Sequence, residues 1–185
     1  MRTAQEMDAY AREHGYLYGS EKTALKHFAV IEKNLLPGED VIMALAPNSV
    51  YSGNDIVMGG ITAVVFTNKR LMYGQKAILM GAPVKVVNLE NVNDVHKDTL
   101  GLLNGKIYID TLKENIGIQF TKAHLDRIFK DILQMLENYR ATPKAPAASS
   151  GVSAADELKK FKELLDMGII TQEEFKAKKK QLLGL

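Results

Sequence analysis

The 185 residues contain no cysteine, which removes disulfides, thiolate nucleophiles and cysteine-ligated metal together. Charge of one sign is also scarce. With 24 Lys and Arg against 22 Asp and Glu, the net charge is +2, so no overall basic field recommends nucleic acid or an anionic membrane as the partner. No apolar run approaches the roughly 20 residues that a membrane span needs. The first twenty residues carry Arg2, Glu6, Asp8, Arg12 and Glu13 without an apolar centre, unlike a secretory leader. These absences lead to the expectation of a cytoplasmic protein. What is present is a globular composition, 46% hydrophobic and 25% charged, enough for one ordinary domain plus an appendage.

Catalytic groupings are missing too. The four histidines, His14, His27, His96 and His124, show no HxxxH or HxH spacing and read as surface or cap residues, not as metal ligands. His96-Lys97-Asp98 mimics an acid–base cluster, but neighbouring strand residues point to opposite faces and no serine elbow accompanies it. Gly15 and Gly19-Ser20-Glu21-Lys22-Thr23 have the wrong spacing for a phosphate loop, and no strand precedes them. No enzyme, no cofactor and no bound metal are expected.

The chain is organised around Gly60–Tyr73, GITAVVFTNKRLMY. Ile61–Thr67 and Arg70–Tyr73 are β-rich runs around the break Asn68-Lys69, the pattern of a tight hairpin. Its register sets Thr67 against Arg70, Phe66 against Leu71, Val65 against Met72 and Val64 against Tyr73. Phe66, Leu71, Val64 and Tyr73 then form one core face.

Upstream, Ala4, Met7 and Ala11 line one side of a short helix that Gly15 ends. Ser20 is placed as an N-cap, followed by Leu25, Phe28, Ala29, Ile31, Leu35 and Leu36 at helical spacing until Pro37-Gly38. Val41–Ala46 reads as the first strand, and Pro47–Gly60 as a Gly, Asn and Ser-rich stretch containing Ile56, Val57 and Met58. After the hairpin, Val84–Leu89 is a strand with one phase change, a bulge or full burial, and Val92–Lys97 a short polar edge strand. Lys106–Leu112 and Ile116–Phe120 form a second hairpin. Thr121 then caps the clearest helix, with Leu125, Ile128, Phe129, Ile132, Leu133 and Leu136 on one stripe. Seven strands with local connections argue for an α+β fold: an antiparallel barrel or sandwich, capped by its C-terminal helix and preceded by an N-terminal helix.

Ala141–Val152 is Pro, Ala and Ser-rich without apolar periodicity, a linker spanning on the order of 20–35 Å. In Ser153–Leu185, Leu158, Phe161, Leu164 and Leu165 mark one helix, and Thr171 with Glu174 makes a capping box for a second that holds Phe175, Leu182 and Leu183. A helical hairpin this small cannot bury an adequate core alone. It must dock. The expected organisation is therefore 1–36 helical segment, 37–140 barrel with capping helix, 141–152 linker and 153–185 helical hairpin.

Leu36-Pro37-Gly38-Glu39, then Val65-Phe66-Thr67-Asn68-Lys69-Arg70-Leu71, then the helix after Phe120 resemble the bacterial pleckstrin-homology-like (PH-like) domains of the YokE-like kind, over residues 35–139. Residues 154–185 resemble the short C-terminal domain abbreviated SHOCT, through Leu158, Phe161, Leu164-Leu165, Gly168-Ile169-Ile170-Thr171, Glu173-Glu174-Phe175, Lys178-Lys179 and Leu182-Leu183. The resemblance implies two non-enzymatic interaction modules with self-association. Eukaryotic lipid-binding members use Lys and Arg in the loop joining the first two strands, because phosphates need several convergent donors. Pro47–Gly60 holds neither, only Asp55, which points away from phosphoinositide.

The leading expectation is thus a protein-interaction and oligomerisation module whose partner is a protein or a second copy of itself. Its candidate contacts are an exposed lip at Ile56, Val57 and Met58, weighed against burial of that segment within a strand, and Phe161, Leu165, Phe175 and Leu182 on the tail. The alternative is a nucleic-acid-associated regulator using Lys176, Lys178, Lys179 and Lys180, though Glu173 and Glu174 precede that run and lysines suit a helix C-terminus anyway.

Overall fold

The computed structural model describes residues 1–18, 24–76, 83–142, 162, 165 and 171–176. The chain divides into two compact units, Met1–Ala141 and Thr142–Leu185.

The central hairpin forms in the expected register. Strand β4 (Ala63–Thr67) pairs with β5 (Arg70–Gly74), setting Phe66 against Leu71, Val65 against Met72 and Val64 against Tyr73. The core is not confined to one face, however: every residue of β4 is buried, Val65 as fully as Val64. Two layers account for this. The Phe66 face looks toward a second sheet, where the Tyr73 hydroxyl reaches Glu114 Oε1 at 3.4 Å. The opposite face lies under helix α2 (Ala24–Glu32), which packs on β4 and β5. Phe28 and Ile31 are buried as expected; Leu25 and Leu36 point outward, and Ala24, His27 and Val30 take their place inside. The segment that would hold the Ser20 cap lies outside the described residues.

Among the described residues nine strands, two more than the sequence indicates, form two antiparallel sheets; of the barrel or sandwich expected, a closed barrel is not formed. One sheet runs in the order β1 (Val41–Leu45), β4, β5, β6 (Val84–Asn88). The other runs β3 (Asp55–Gly59), β2 (Ser49–Ser52), β9 (Asn115–Thr121), β8 (Asn104–Thr111), β7 (Val92–Leu100). The additional strands come from Pro47–Gly60, whose Gly53 takes a φ of 59° and turns β2 into β3. Strand β6 ends at Asn88 and is half-buried at best, because it closes a sheet edge; Leu89 sits in a short 3-10 turn instead.

Helix α1 (Ala4–Glu13) opens with a capping box between Thr3 and Glu6 and buries Ala4, Met7 and Ala11. Gly15 ends it with a φ of 64°, a conformation that suits glycine. The preceding and following segments flank β1: the Val41 amide donates to the Met1 carbonyl at 2.9 Å, and the Tyr18 amide donates to the Ala46 carbonyl at 2.8 Å. Helix α3 (Lys122–Ala141) follows β9 directly and lays Leu125, Ile128, Ile132 and Leu136 on β7, β8 and β9, with Met135 joining them and Phe129 and Leu133 half-buried at the stripe's margin. It fits closely over Gly105, where a Cβ would collide with the Leu125 side chain.

One buried ion pair ties the two sequence motifs together. The Glu39 carboxylate, wholly buried, accepts Arg70 Nε at 2.7 Å and Nη2 at 2.8 Å, Thr67 Oγ1 at 2.8 Å and the Leu36 amide at 2.9 Å. Arg70 also donates to the Asn34 carbonyl at 2.9 Å, so the α2–β1 connection is fastened to the hairpin turn. Burial alone would raise the Glu39 pKa; Arg70, the Leu36 amide and Thr67 outweigh it and hold the carboxyl below its ordinary value.

Candidate interaction surface

A sheet edge offers unpaired backbone groups to other chains, and proteins usually guard it with charge, bulges or covering segments. The four edges here differ. β1 is flanked by the N-terminal residues, β6 carries Lys85, and β7 carries Asp94, His96, Lys97 and Asp98. β3 has a single charge, Asp55, at its first position. Between Val50 and Tyr51 the β2–β3 register shifts, so Ile56 faces Tyr51 and Met58 faces Val50, with Val57 as the extra bulged residue. Ile56 is consequently 60% exposed and Val57 37%, whereas Met58 turns inward and is 6% exposed. Two of the three expected lip residues therefore stand at the surface, and Met58 belongs to the core.

The other candidate contacts lie on the second unit. Residues 162 and 165 are helical, as are 172–176, and Leu165 and Phe175 are half-buried. The capping box forms: the Thr171 amide donates to Glu174 Oε2 at 2.8 Å and the Glu174 amide to Thr171 Oγ1 at 3.3 Å. Those bonds, the Thr171 amide first, lower the Glu174 pKa. Phe161 and Leu182 lie outside the described residues, as do Lys178, Lys179 and Lys180; Lys176 is exposed.

The outer face of the five-stranded sheet is polar and aromatic. Cross-strand pairing lines up Ile56, Tyr51, Gly117, Tyr108 and His96 in one row. Gly117 leaves space that Tyr51 and Tyr108 fill, since a Cβ there would lie 3.2 Å from the Tyr108 ring and 3.3 Å from Tyr51 Cβ. Tyr108 stacks on His96 with centroids 4.9 Å apart. Burial, then the Asp98 carboxylate and Tyr51, raise the Tyr108 pKa. Beside it a shallow depression of about 450 Å³ is lined by Gly53, Asn54, His96, Asp98, Tyr108 and Asn115, among others.

His96 Nδ1 lies 3.1 Å from Asp110 Oδ2, and Asp94 brings a third potential ligand atom within 4.8 Å of these two. This grouping escaped a search for histidine spacing because its third member comes from the neighbouring strand. Exposed groups of this kind commonly stand without a metal. The sequence reading also passed over the β7–β8 turn, where Leu102 is 90% and Leu103 77% exposed. Adjacent large apolar residues in a Gly-bearing turn were the available signal.

No helix among the described residues is long and apolar enough to cross a membrane. A family model described as bacterial PH domain matches residues 35–134, and one described as short C-terminal domain, SHOCT, matches residues 156–183. No curated protein matches the chain. Among solved structures, the Vps36 N-terminal PH domain is similar at 18% identity and TM-score 0.45, covering 56% of this chain and 84% of that one. A DUF1696 family protein with a pleckstrin-homology domain from Shewanella loihica gives 16% identity and TM-score 0.40, covering 72% and 92%. A pleckstrin homology domain from Shewanella amazonensis gives 16% identity and TM-score 0.36, covering 60% and 92%.

Proposed function

This chain belongs to the bacterial PH domain family, and from that premise we propose that it is a non-enzymatic assembly module whose partner is a second copy of itself. The observation that carries the reading is the β3 edge, where a bulge turns Ile56 and Val57 outward on a strand whose one charge, Asp55, stands at its first position. Burying a large apolar side chain fully contributes roughly 1.5–3 kcal/mol, so the part of Ile56 and Val57 still exposed supports a weak contact only. The short C-terminal domain supplies the second contact. It is too small to bury a sufficient core, and its apolar residues Phe161, Leu165, Phe175 and Leu182 associate between copies. Two weak contacts on one chain reinforce each other through effective concentration.

Amide hydrogen exchange of the full chain at rising protein concentration tests the β3 contact. Protection of residues 55–59 that grows with concentration, and is absent in an Ile56→Glu, Val57→Glu double variant, supports the reading. Exchange at β3 that stays constant while the mass of the sample rises assigns assembly elsewhere and overturns it.

A further inference from the structure

Lys106 projects from the middle of β8 onto the outer sheet face and is 92% buried, its relative exposure being 8%. A lysine this enclosed ordinarily has a carboxylate or carbonyl acceptors beside its ammonium. Here, among the described residues, Nζ has only ring faces as partners: it sits 3.4 Å from the centroid of Tyr51 and 5.9 Å from that of Tyr108. An ion pair was within reach, since Asp98 is its direct cross-strand neighbour. Asp98 does not take it. The Asp98 carboxylate accepts the Thr99 amide at 2.7 Å, and the lysine leans the other way, toward β2.

The aromatic walls are themselves fixed. The Tyr51 hydroxyl donates to Gln119 Oε1 at 2.6 Å, Gln119 being the neighbour of Lys106 on β9, and Tyr108 is held by its stack on His96. The cation–π arrangement thus presents an ammonium with no protein acceptor among the described residues, its Nζ still reaching solvent.

We propose that Lys106, with Tyr51 and Tyr108 as walls, is a binding site for a single carboxylate. One ammonium matches one negative charge; a phosphate dianion needs several converging donors. Among the described residues no second lysine or arginine stands beside Lys106 on the outer face, which carries Asp94, Asp98 and Asp110, and these repel a dianion more strongly than a monoanion. The aromatic rings exclude water from the bond, which strengthens it. This site adjoins the β3 contact, Tyr51 being the cross-strand neighbour of Ile56, but it does not depend on that contact and stands whether or not the protein self-associates.

The test is a titration of the isotope-labelled full chain with sodium acetate and, separately, inorganic phosphate, each against sodium chloride at equal ionic strength. The Lys106 side-chain resonances and the Tyr51 and Tyr108 ring resonances are followed by NMR. The expected result is a saturable shift of all three with acetate, weaker with phosphate, reduced about tenfold or more in apparent affinity by Lys106→Met. Lys122→Met, at an exposed position, leaves it unchanged. Acetate acting no differently from chloride overturns the assignment, as does phosphate binding more tightly than acetate or a ring shift that survives Lys106→Met. Should Lys106→Met fail to fold, the wild-type Lys106 resonances decide alone: no saturable response to acetate overturns the site.

Discussion

Arg70→Met is the substitution whose cost follows most directly from the structure. It removes two of the four bonds to the Glu39 carboxylate and its only cation, leaving a wholly buried charge with the Thr67 hydroxyl and the Leu36 amide. Breaking a buried pair in this way costs about 3–5 kcal/mol. Glu39→Gln is milder, about 1–3 kcal/mol, because the Arg70 side chain retains 16% exposure and can reach water. Replacing both, Glu39→Met with Arg70→Met, brings stability back toward the wild type, since an apolar pair of similar volume has no charge to desolvate. The sign of the pH effect also follows. In the wild type the Glu39 pKa is depressed below 4.5, so its contribution is complete above that value and is lost as pH falls through the depressed pKa. In Arg70→Met, burial without the cation raises that pKa, so the variant's deficit shrinks as pH falls from 7 toward 5. Urea unfolding of the four proteins by circular dichroism at the two pH values compares their stabilities. An Arg70→Met deficit below about 1 kcal/mol at pH 7, or one that does not change with pH, would refute the assignment of Glu39 as a buried, charged partner.

Further outcomes are expected elsewhere in the fold. His27 is buried and its Nδ1 accepts the Lys76 amide at 2.9 Å; burial first, then Lys26, lower its pKa from 6.5 to about 4. The unfolded chain therefore binds this proton first, stability falls between pH 6.5 and about 4, and His27→Gln, which keeps an acceptor, flattens that part of the stability–pH curve. Gly105→Ala pushes a methyl into Leu125 and to 2.9 Å from the Asp98 carbonyl, and should destabilise by about 1–3 kcal/mol in thermal or urea unfolding. The double change Leu102→Ser, Leu103→Ser removes apolar surface that packs on little, so unfolding free energy should stay within about 0.5 kcal/mol of the wild type.

Local chemistry made some of this structure legible in the sequence. The β4–β5 register followed from period-two alternation around Asn68-Lys69, and the α3 stripe from its 3.6-residue spacing. The α1 face was visible in Ala4, Met7 and Ala11 despite weak patterning. What sequence could not supply was long-range placement. A hairpin buried on both faces reads like one buried on a single face until α2 is known to cover it, and α2 turns Leu25 outward for the same reason. Strand β3 was obscured by Gly, Asn and Ser that serve its turn, and the bulge at Val57 reversed Met58 relative to a simple alternation. The Glu39–Arg70 pair spans 31 residues and the Lys106 cradle draws on two strands, β8 and β2, far apart in sequence, so neither has a local signature. Both motifs that mark the family were readable; the ion pair joining them was not.

The central claim is assembly, and solution mass by light scattering tests it most directly. Three proteins suffice: the full chain, a version ending at Thr142, and the full chain with Ile56→Glu and Val57→Glu. The account predicts a full-chain mass that is a multiple of 20.5 kDa, with both altered proteins shifted toward the mass of one chain. A full chain that stays at 20.5 kDa across the accessible concentration range would contradict it.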